Sequence, residues 1–111
     1  MGAFAVGDVV VVPFPFTNHE QAKRRPALVV ASIPGKDNLL CAITSQKPLG
    51  VPCVELTECD FGQEPLRVDP SYVLLGKIMT IEDRIITRKV TELKPDVTTN
   101  ILGKIRDLFR G

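Results

Sequence analysis

A short polar stretch ahead of an apolar segment carries the densest group of chemically capable side chains in this 111-residue chain. It contains the only histidine, His19, next to Glu20, and three consecutive cations at 23–25 that stand directly before Pro26. Arginine presents a planar set of N–H donors that matches phosphate, and histidine exchanges a proton near neutral pH. This combination predicts a site for an anionic ligand, mounted at the start of a strand.

The cysteines indicate neither a metal site nor a disulfide framework. There are three of them, Cys41, Cys53 and Cys59, and no pair has the CxxC spacing that zinc sites favour. Cys41 lies within an apolar run and is predicted to be a buried core residue, whereas Cys59 next to Asp60 is predicted to be exposed. A cysteine nucleophile would need His19 as its base, and the structural interpretation is preferred.

Short runs of β-branched and apolar residues predict a strand-rich domain, because turn-forming residues bound each run. The predicted strands are 9–13, 27–32, 39–45, 53–57, 72–81 and 85–93, the last with its basic residues facing outwards. The segment IPGKDN predicts a hairpin loop in which Gly35 and Asn38 can take positive φ. Residues 60–71 predict a polar loop with room for one short strand. Several short strands at this spacing indicate a small barrel or sandwich.

The C-terminal segment changes to the helical period. From Pro95 onward the apolar residues fall on one stripe: Val97, Ile101, Leu102, Ile105, Leu108 and Phe109. Pro95 suits the first helical turn, and Asp96 suits the positive end of the helix dipole. The stripe predicts a helix that packs across an open side of the barrel; a partner-binding face is the alternative.

Composition describes an ordinary folded protein with an uneven charge distribution. Hydrophobic residues make up 44% and charged residues 24%, and the net charge is +1. Residues 55–83 carry seven acids against two cations, whereas residues 84–111 carry seven cations against three acids. A basic face could therefore combine the first loop with the C-terminal third. The apolar run 9–16 is too short to span a bilayer and no secretory signal is visible, so a cytoplasmic protein without membrane contact is expected.

Four segments together resemble the MazF/PemK toxins of toxin–antitoxin systems. In chain order they read GDVVVVPFPF, HEQAKRRPALVV, CAITSQ and SYVLLGKIMTIEDR, and a helix follows. The match spans nearly the whole chain in the family's order and spacing. Its most specific element is the loop that ends in Arg-Pro before a strand, with Ile-Thr-Ser about twenty residues later.

This resemblance implies a mainly β fold, an SH3-like β-barrel of the MazF/CcdB type with a C-terminal helix, in one domain over residues 1–111. It also implies a homodimer and an endoribonuclease that needs no metal or other cofactor and cuts single-stranded RNA. The products would be a 2′,3′-cyclic phosphate and a 5′-hydroxyl, and DNA would be inert because it lacks the 2′-hydroxyl. The implied partner is a small, acidic, partly disordered antitoxin that covers the RNA groove.

The resemblance also assigns residues. Arg25 matches the family's catalytic arginine, Thr44 matches its threonine, and His19 matches a histidine found in some members. The residues expected to bind RNA are Thr17, Asn18, Glu20, Gln21, Lys23, Arg24, Ser45, Gln46 and Lys77. Residues that read the RNA sequence are expected in IPGKDN and in 59–70.

One feature departs from the family pattern. Certain members use an arginine and an acid in the strand before their TID motif, where Leu74 and Gly76 stand in this chain. That acid–base mechanism is therefore not transferred, and the chemistry shifts to Arg25, Thr44 and the first loop. A non-catalytic nucleic-acid-binding or antitoxin-binding barrel and a gyrase poison of the CcdB type remain alternatives.

Overall fold

The structure, a computed structural model, describes residues 4–14, 23–33, 37–66 and 70–110. Within these ranges six strands are followed by one α-helix. The strands are β1 (Asp8–Phe14), β2 (Lys23–Ile33), β3 (Asp37–Thr44), β4 (Cys53–Leu56), β5 (Ser71–Glu82) and β6 (Arg88–Glu92). The helix is α1 (Pro95–Leu108), and single turns of 3₁₀ helix occupy Glu58–Asp60 and Asp83–Ile85.

All six strands join one antiparallel sheet in the order β4-β5-β3-β2-β1-β6. The sheet curls into a half-barrel, and irregularities in strand pairing interrupt the β1–β6, β2–β3 and β3–β5 ladders. An extra residue in one strand of a pair bends that strand and increases its twist, which favours curling. The predicted mainly β barrel with a C-terminal helix is therefore confirmed.

The two faces of the sheet bury separate apolar clusters, because successive side chains of a strand point to opposite faces. One cluster includes Val9, Leu28 and Cys41 and lies on the helix side, where Ile101 and Ile105 join it. The other lies on the opposite face and consists of Val10, Val12, Ala27, Val29, Leu40, Ala42 and Ile86. The predictions that Cys41 is buried and Cys59 exposed are both confirmed.

The helix packs as predicted over its first three turns and differs at its end. Ile101 and Ile105 are buried, and Val97 packs against the same cluster. Leu108 and Phe109 remain exposed, Phe109 by 77%, so the apolar stripe is longer than the surface it covers. Within the described ranges, α1 included, no helix is long and apolar enough to cross a membrane.

Three local expectations are corrected. Strand β2 begins at Lys23 instead of Ala27, because β1 continues to pair with it, Val12 with Arg25 and Pro13 with Arg24. Asn38 lies fully buried in β3 instead of in a turn. The predicted strand 85–93 is shorter, since its first residue completes a 3₁₀ turn.

Two further expectations concern the loop at residues 60–71 and the backbone of Gly35. No strand forms among residues 60–66 and 70, where Phe61 makes an isolated bridge to Leu93. The predicted positive φ of Gly35 lies outside the described residues.

Candidate functional site

A groove of about 510 Å³ opens on the sheet where β2 begins and β3 ends. Strands β1, β2, β3, β5 and β6 contribute to it, and the loop after the first 3₁₀ turn closes one side. Its described lining residues are Val11, Arg24, Arg25, Pro26, Ile43, Thr44, Ser45, Glu64, Pro65, Leu66, Ser71, Arg88, Val90 and Thr91. Among the described residues, the two arginines before Pro26 and the Thr-Ser pair at the end of β3 thus line one cavity.

Pro26 marks the place where the groove opens between two neighbouring strands. The pairing of β2 with β3 starts at Ala27 and Ala42, and Pro26, which has no N–H, cannot extend a hydrogen-bonded ladder. Arg25 and Thr44 each stand two residues beyond that last pair, on neighbouring strands and on the same side of the sheet. Arg25 and Thr44 both line the groove beyond the end of this ladder.

A local hydrogen bond fixes the Thr44 hydroxyl. Its Oγ1 accepts the backbone N–H of Gln46 at 3.2 Å. A threonine hydroxyl can accept and donate at the same time. Because the Gln46 N–H uses one of its lone pairs, the hydroxyl is oriented and its own proton is left to donate to a ligand in the groove.

A shift in strand pairing brings two residues of β6 to the groove. Thr91 pairs with Val9 and Arg88 pairs with Val11, although the two β6 residues are three apart and the two β1 residues are two apart. The extra residue in this stretch, Val90, lets both side chains take the same face of the sheet. Without this bulge the alternation of the strand would place Arg88 and Thr91 on opposite faces.

The charge of the groove is predominantly positive. Arg24, Arg25 and Arg88 face a single carboxylate, Glu64, among the described lining residues. The neighbouring cation Lys89 is held elsewhere, since its Nζ lies 2.8 Å from Glu92 and 3.2 Å from Asp8. The hydrogen bond to Glu92, supported by Asp8, raises the pKa of Lys89. The arrangement suits a polyanion with room for more than one phosphate.

Comparisons with known proteins identify the family of this chain and support its fold. Residues 5–109 match the family model described as the PemK-like, MazF-like toxin of type II toxin–antitoxin systems. The chain belongs to the PemK/MazF toxin family. No curated protein sequence matches it significantly.

Solved MazF structures share its fold. The MazE–MazF complex from Deinococcus radiodurans (form II) is 28% identical, with a TM-score of 0.65, and the match covers 94% of this chain and 93% of that one. MazF (form I) from the same organism is 27% identical, with a TM-score of 0.65 and 96% of both chains covered. The Mycobacterium tuberculosis toxin MazF-mt6 is 15% identical over 90% of this chain and 96% of its own, and its TM-score of 0.62 shows the shared fold.

The residues predicted from the PemK/MazF resemblance fall into three groups in the structure. Arg24, Arg25, Thr44 and Ser45 line the groove together, and Gln46 orients Thr44 from the adjacent loop. Lys77 does not line the groove; it is exposed on β5, in the irregular stretch between Val73 and Ile78. Lys23 is the first residue of β2. The remaining predicted residues lie outside the described ranges: Thr17, Asn18, His19, Glu20 and Gln21.

Sequence reasoning missed Arg88, Thr91 and Ser71 as groove residues, and it included Glu64 only as part of the segment 59–70 that is expected to read RNA. The basic segment 84–111 was a usable signal for Arg88, since it predicted a basic face shared with the first loop. Thr91 gave no signal, because its place at the groove depends on the β6 bulge. Among the residues that the structure describes, no three His, Cys, Asp or Glu side chains form a cluster able to hold a metal ion.

Proposed function

We propose that this PemK/MazF-family chain is an endoribonuclease that cleaves single-stranded RNA in the groove that Arg25 and Thr44 line. The observation that carries the proposal is the shared position of these two side chains at the ends of β2 and β3. They match the arginine and threonine to which the family resemblance assigns the chemistry. Arg24 and Arg88 extend the positive surface along which an RNA backbone would lie.

The reaction uses the RNA's own 2′-hydroxyl as the nucleophile. Its oxygen forms a new bond to the adjacent phosphorus, the bond from phosphorus to the 5′-oxygen breaks, and a 2′,3′-cyclic phosphate and a 5′-hydroxyl result. A base accepts the 2′-hydroxyl proton and an acid returns a proton to the leaving 5′-oxygen. The protein supplies neither a covalent nucleophile nor, in this proposal, a metal or other cofactor.

Arg25 and Thr44 stabilise the negative charge that develops on the phosphoryl oxygens. The guanidinium can donate parallel N–H hydrogen bonds to the two non-bridging oxygens, and the Thr44 hydroxyl, which accepts the Gln46 N–H, can donate a further hydrogen bond to one of them. Donors that are already oriented lose little energy to reorganisation when charge builds up, which is why removing one such donor costs about 10²–10³ in rate.

The proton transfers are assigned to the first loop. Leu74 and Gly76 stand where some relatives carry an arginine and an acid; Leu74 is half-buried against an apolar cluster, and the space beside Gly76 is open. In this proposal His19 is the residue of the first loop that exchanges a proton near neutral pH, and Glu20 belongs to the RNA-binding residues beside it. The same departure favours a second candidate, a non-catalytic barrel that binds RNA or an antitoxin in this groove.

The proposed biological setting is a cytoplasmic toxin of one domain that acts as a homodimer. The Deinococcus radiodurans relative is a MazE–MazF complex, and we propose that this chain likewise binds an antitoxin. A small, acidic, partly disordered antitoxin would suit the groove, because its carboxylates would pair with Arg24, Arg25 and Arg88 and exclude RNA.

The test is cleavage of a mixed single-stranded RNA by purified wild type, Arg25→Ala and Thr44→Val. Arg84→Ala is the matched control, because Arg84 is an exposed arginine bound to Glu82 and does not line the groove. We expect Arg25→Ala to abolish cleavage, Thr44→Val to slow it by about 10²-fold, and the control to cleave at the wild-type rate.

The outcome separates the candidates. Wild-type cleavage by Arg25→Ala would overturn the role of Arg25. RNA binding by the wild type without any cleavage would overturn the nuclease and favour the non-catalytic barrel.

A further inference from the structure

Thr91 presents an unusual hydroxyl to the groove. The residue is 1% exposed, and its Oγ1 has no hydrogen-bond partner within the described part of the chain. Buried polar atoms in proteins are nearly always paired, because burial removes their hydrogen bonds to water. At the wall of a cavity, a ligand atom can form the hydrogen bond that such an unpaired hydroxyl lacks.

Thr91 differs from two other described residues that have a buried, unpaired polar atom, because Thr91 lines the groove. Asn38 Oδ1 and Thr98 Oγ1 are also buried without a partner, but neither residue lines this groove. The β6 bulge places Thr91 on the same face as Arg88, opposite Val9. The bulge therefore puts Thr91 and Arg88, which both line the groove, on one face of the strand.

The surroundings of Thr91 combine flat apolar walls with one acceptor. Pro65, Leu66 and Val90 line the same groove, and Glu64 contributes a carboxylate from the loop that closes it. A phosphate would be repelled by Glu64, whereas a nucleobase can place its faces against apolar side chains and its edge against the polar atoms. This side of the groove therefore suits a base, and the arginines suit the backbone.

We propose that Thr91, Glu64, Leu66 and Val90 form a subsite for one nucleobase that carries an exocyclic amino group, an inference that rests on RNA being the ligand of the proposed function. The ionised Glu64 accepts hydrogen bonds and cannot donate them, so it pairs with the amino group of adenine, cytosine or guanine. Uracil has no amino group, and its one Watson–Crick donor, N3–H, lies between two carbonyl oxygens that repel the carboxylate. The subsite lies within the segment 59–70, where the sequence predicts residues that read RNA, and on β6, where it does not.

The test separates base preference from cleavage. Binding of short fluorescent homopolymers of adenine, cytosine and uracil, all with 2′-deoxyribose so that they cannot be cut, is measured for wild type, Thr91→Val and Glu64→Gln. The matched controls are Thr80→Val and Glu55→Gln, which change exposed residues of β5 and β4 outside the groove. Cleavage of a random RNA pool, with sequencing of the fragment ends, is measured in parallel.

We expect the wild type to bind the adenine and cytosine polymers about tenfold more tightly than the uracil polymer. Thr91→Val and Glu64→Gln should each remove most of this preference, and both controls should keep it. Thr91→Val should also unfold at the wild-type temperature or higher, because valine removes a buried unpaired hydroxyl without changing the volume much. In the RNA pool, the same two variants should relax the preference at one position near the cut.

Each other outcome decides one claim. An unchanged base preference in both variants, or no binding to any homopolymer, overturns the subsite. A lower unfolding temperature for Thr91→Val with unchanged preference assigns Thr91 a structural role instead. If the wild type cuts no RNA while the base preference responds to both variants, the subsite stands and the nuclease proposal fails.

Discussion

At the scale of single residues, the proposed chemistry depends on what Arg25 and Thr44 can offer from fixed positions. A lysine at position 25 would keep the charge but lose the planar pair of donors that matches two phosphoryl oxygens. The Thr44 hydroxyl oxygen accepts the Gln46 N–H at 3.2 Å, so the position of this oxygen is fixed while its proton stays available to a ligand. Orientation, more than charge alone, is what these two residues contribute.

Cys41 leads to a prediction about alkaline stability. Burial raises the pKa of its thiol to about 11 from an ordinary value of 9.0. The native protein therefore keeps the proton at a pH where the unfolded chain has lost it. The stability due to the neutral thiol is fully present below about pH 9 and is lost as the pH rises toward 11, by up to about 1.4 kcal/mol per pH unit.

Urea denaturation between pH 8 and 11 measures this effect. We expect the free energy of unfolding of the wild type to fall more steeply across this range than that of Cys41→Ala. Cys59→Ala is the control and should follow the wild-type slope, because Cys59 is exposed. Equal slopes for the wild type and Cys41→Ala would contradict the assignment.

The residue scale also shows where sequence reasoning stops. Arg25 and Thr44 stand in local patterns, Arg-Pro before a strand and Ile-Thr-Ser at the end of another, so they could be selected without coordinates. Thr91 and Arg88 reach the groove through a one-residue bulge at Val90. A bulge reverses the side-chain alternation after it. The sequence of Arg88–Glu92 does not indicate the position of this bulge.

At the scale of elements, strand and helix positions were predictable and their ends were less so. The apolar alternation located all six strands, but β2 starts at Lys23 because β1 pairs with its charged residues. Asn38 has the composition of a turn residue, yet its amide donates to Asp83 Oδ1 at 2.6 Å and to the Ile81 carbonyl at 3.4 Å from within β3. Both differences come from partners distant in sequence, which a local pattern does not contain.

The helix gives a prediction at this scale, because only part of its apolar stripe is buried. Ile101 is fully buried against the sheet and Leu108 is 41% exposed. We expect Ile101→Ala to lower the free energy of unfolding by about 2–5 kcal/mol. Leu108→Ala, the matched control on the same helix, should change it by less than about 0.5 kcal/mol.

Urea denaturation of the two helix variants provides the measurement. Equal losses for both would mean that the end of α1 is covered as the sequence pattern alone predicts. A loss well below the expected range for Ile101→Ala would mean that the helix does not close this side of the half-barrel.

At the scale of the whole molecule, the net charge is only +1, although the described lining of the groove carries three arginines and one glutamate. The fold brings the start of β2 and the start of β6, far apart in sequence, to the two sides of one cavity. Arginines from both strands therefore line the same cavity, and Glu64 is the one acid of the stretch 55–83 among its described lining residues. A nearly neutral protein can bind a polyanion when its cations are gathered in the groove and most of its acids lie elsewhere.

We propose that the groove cuts RNA through the substrate's own 2′-hydroxyl. The most direct test measures cleavage by the wild type, in excess EDTA, of a single-stranded RNA and of the same sequence with 2′-deoxyribose at every nucleotide. We expect the RNA to be cut to 2′,3′-cyclic phosphate and 5′-hydroxyl ends and the deoxy strand to stay intact. Cleavage of the deoxy strand, or loss of RNA cleavage in EDTA, would contradict this proposal.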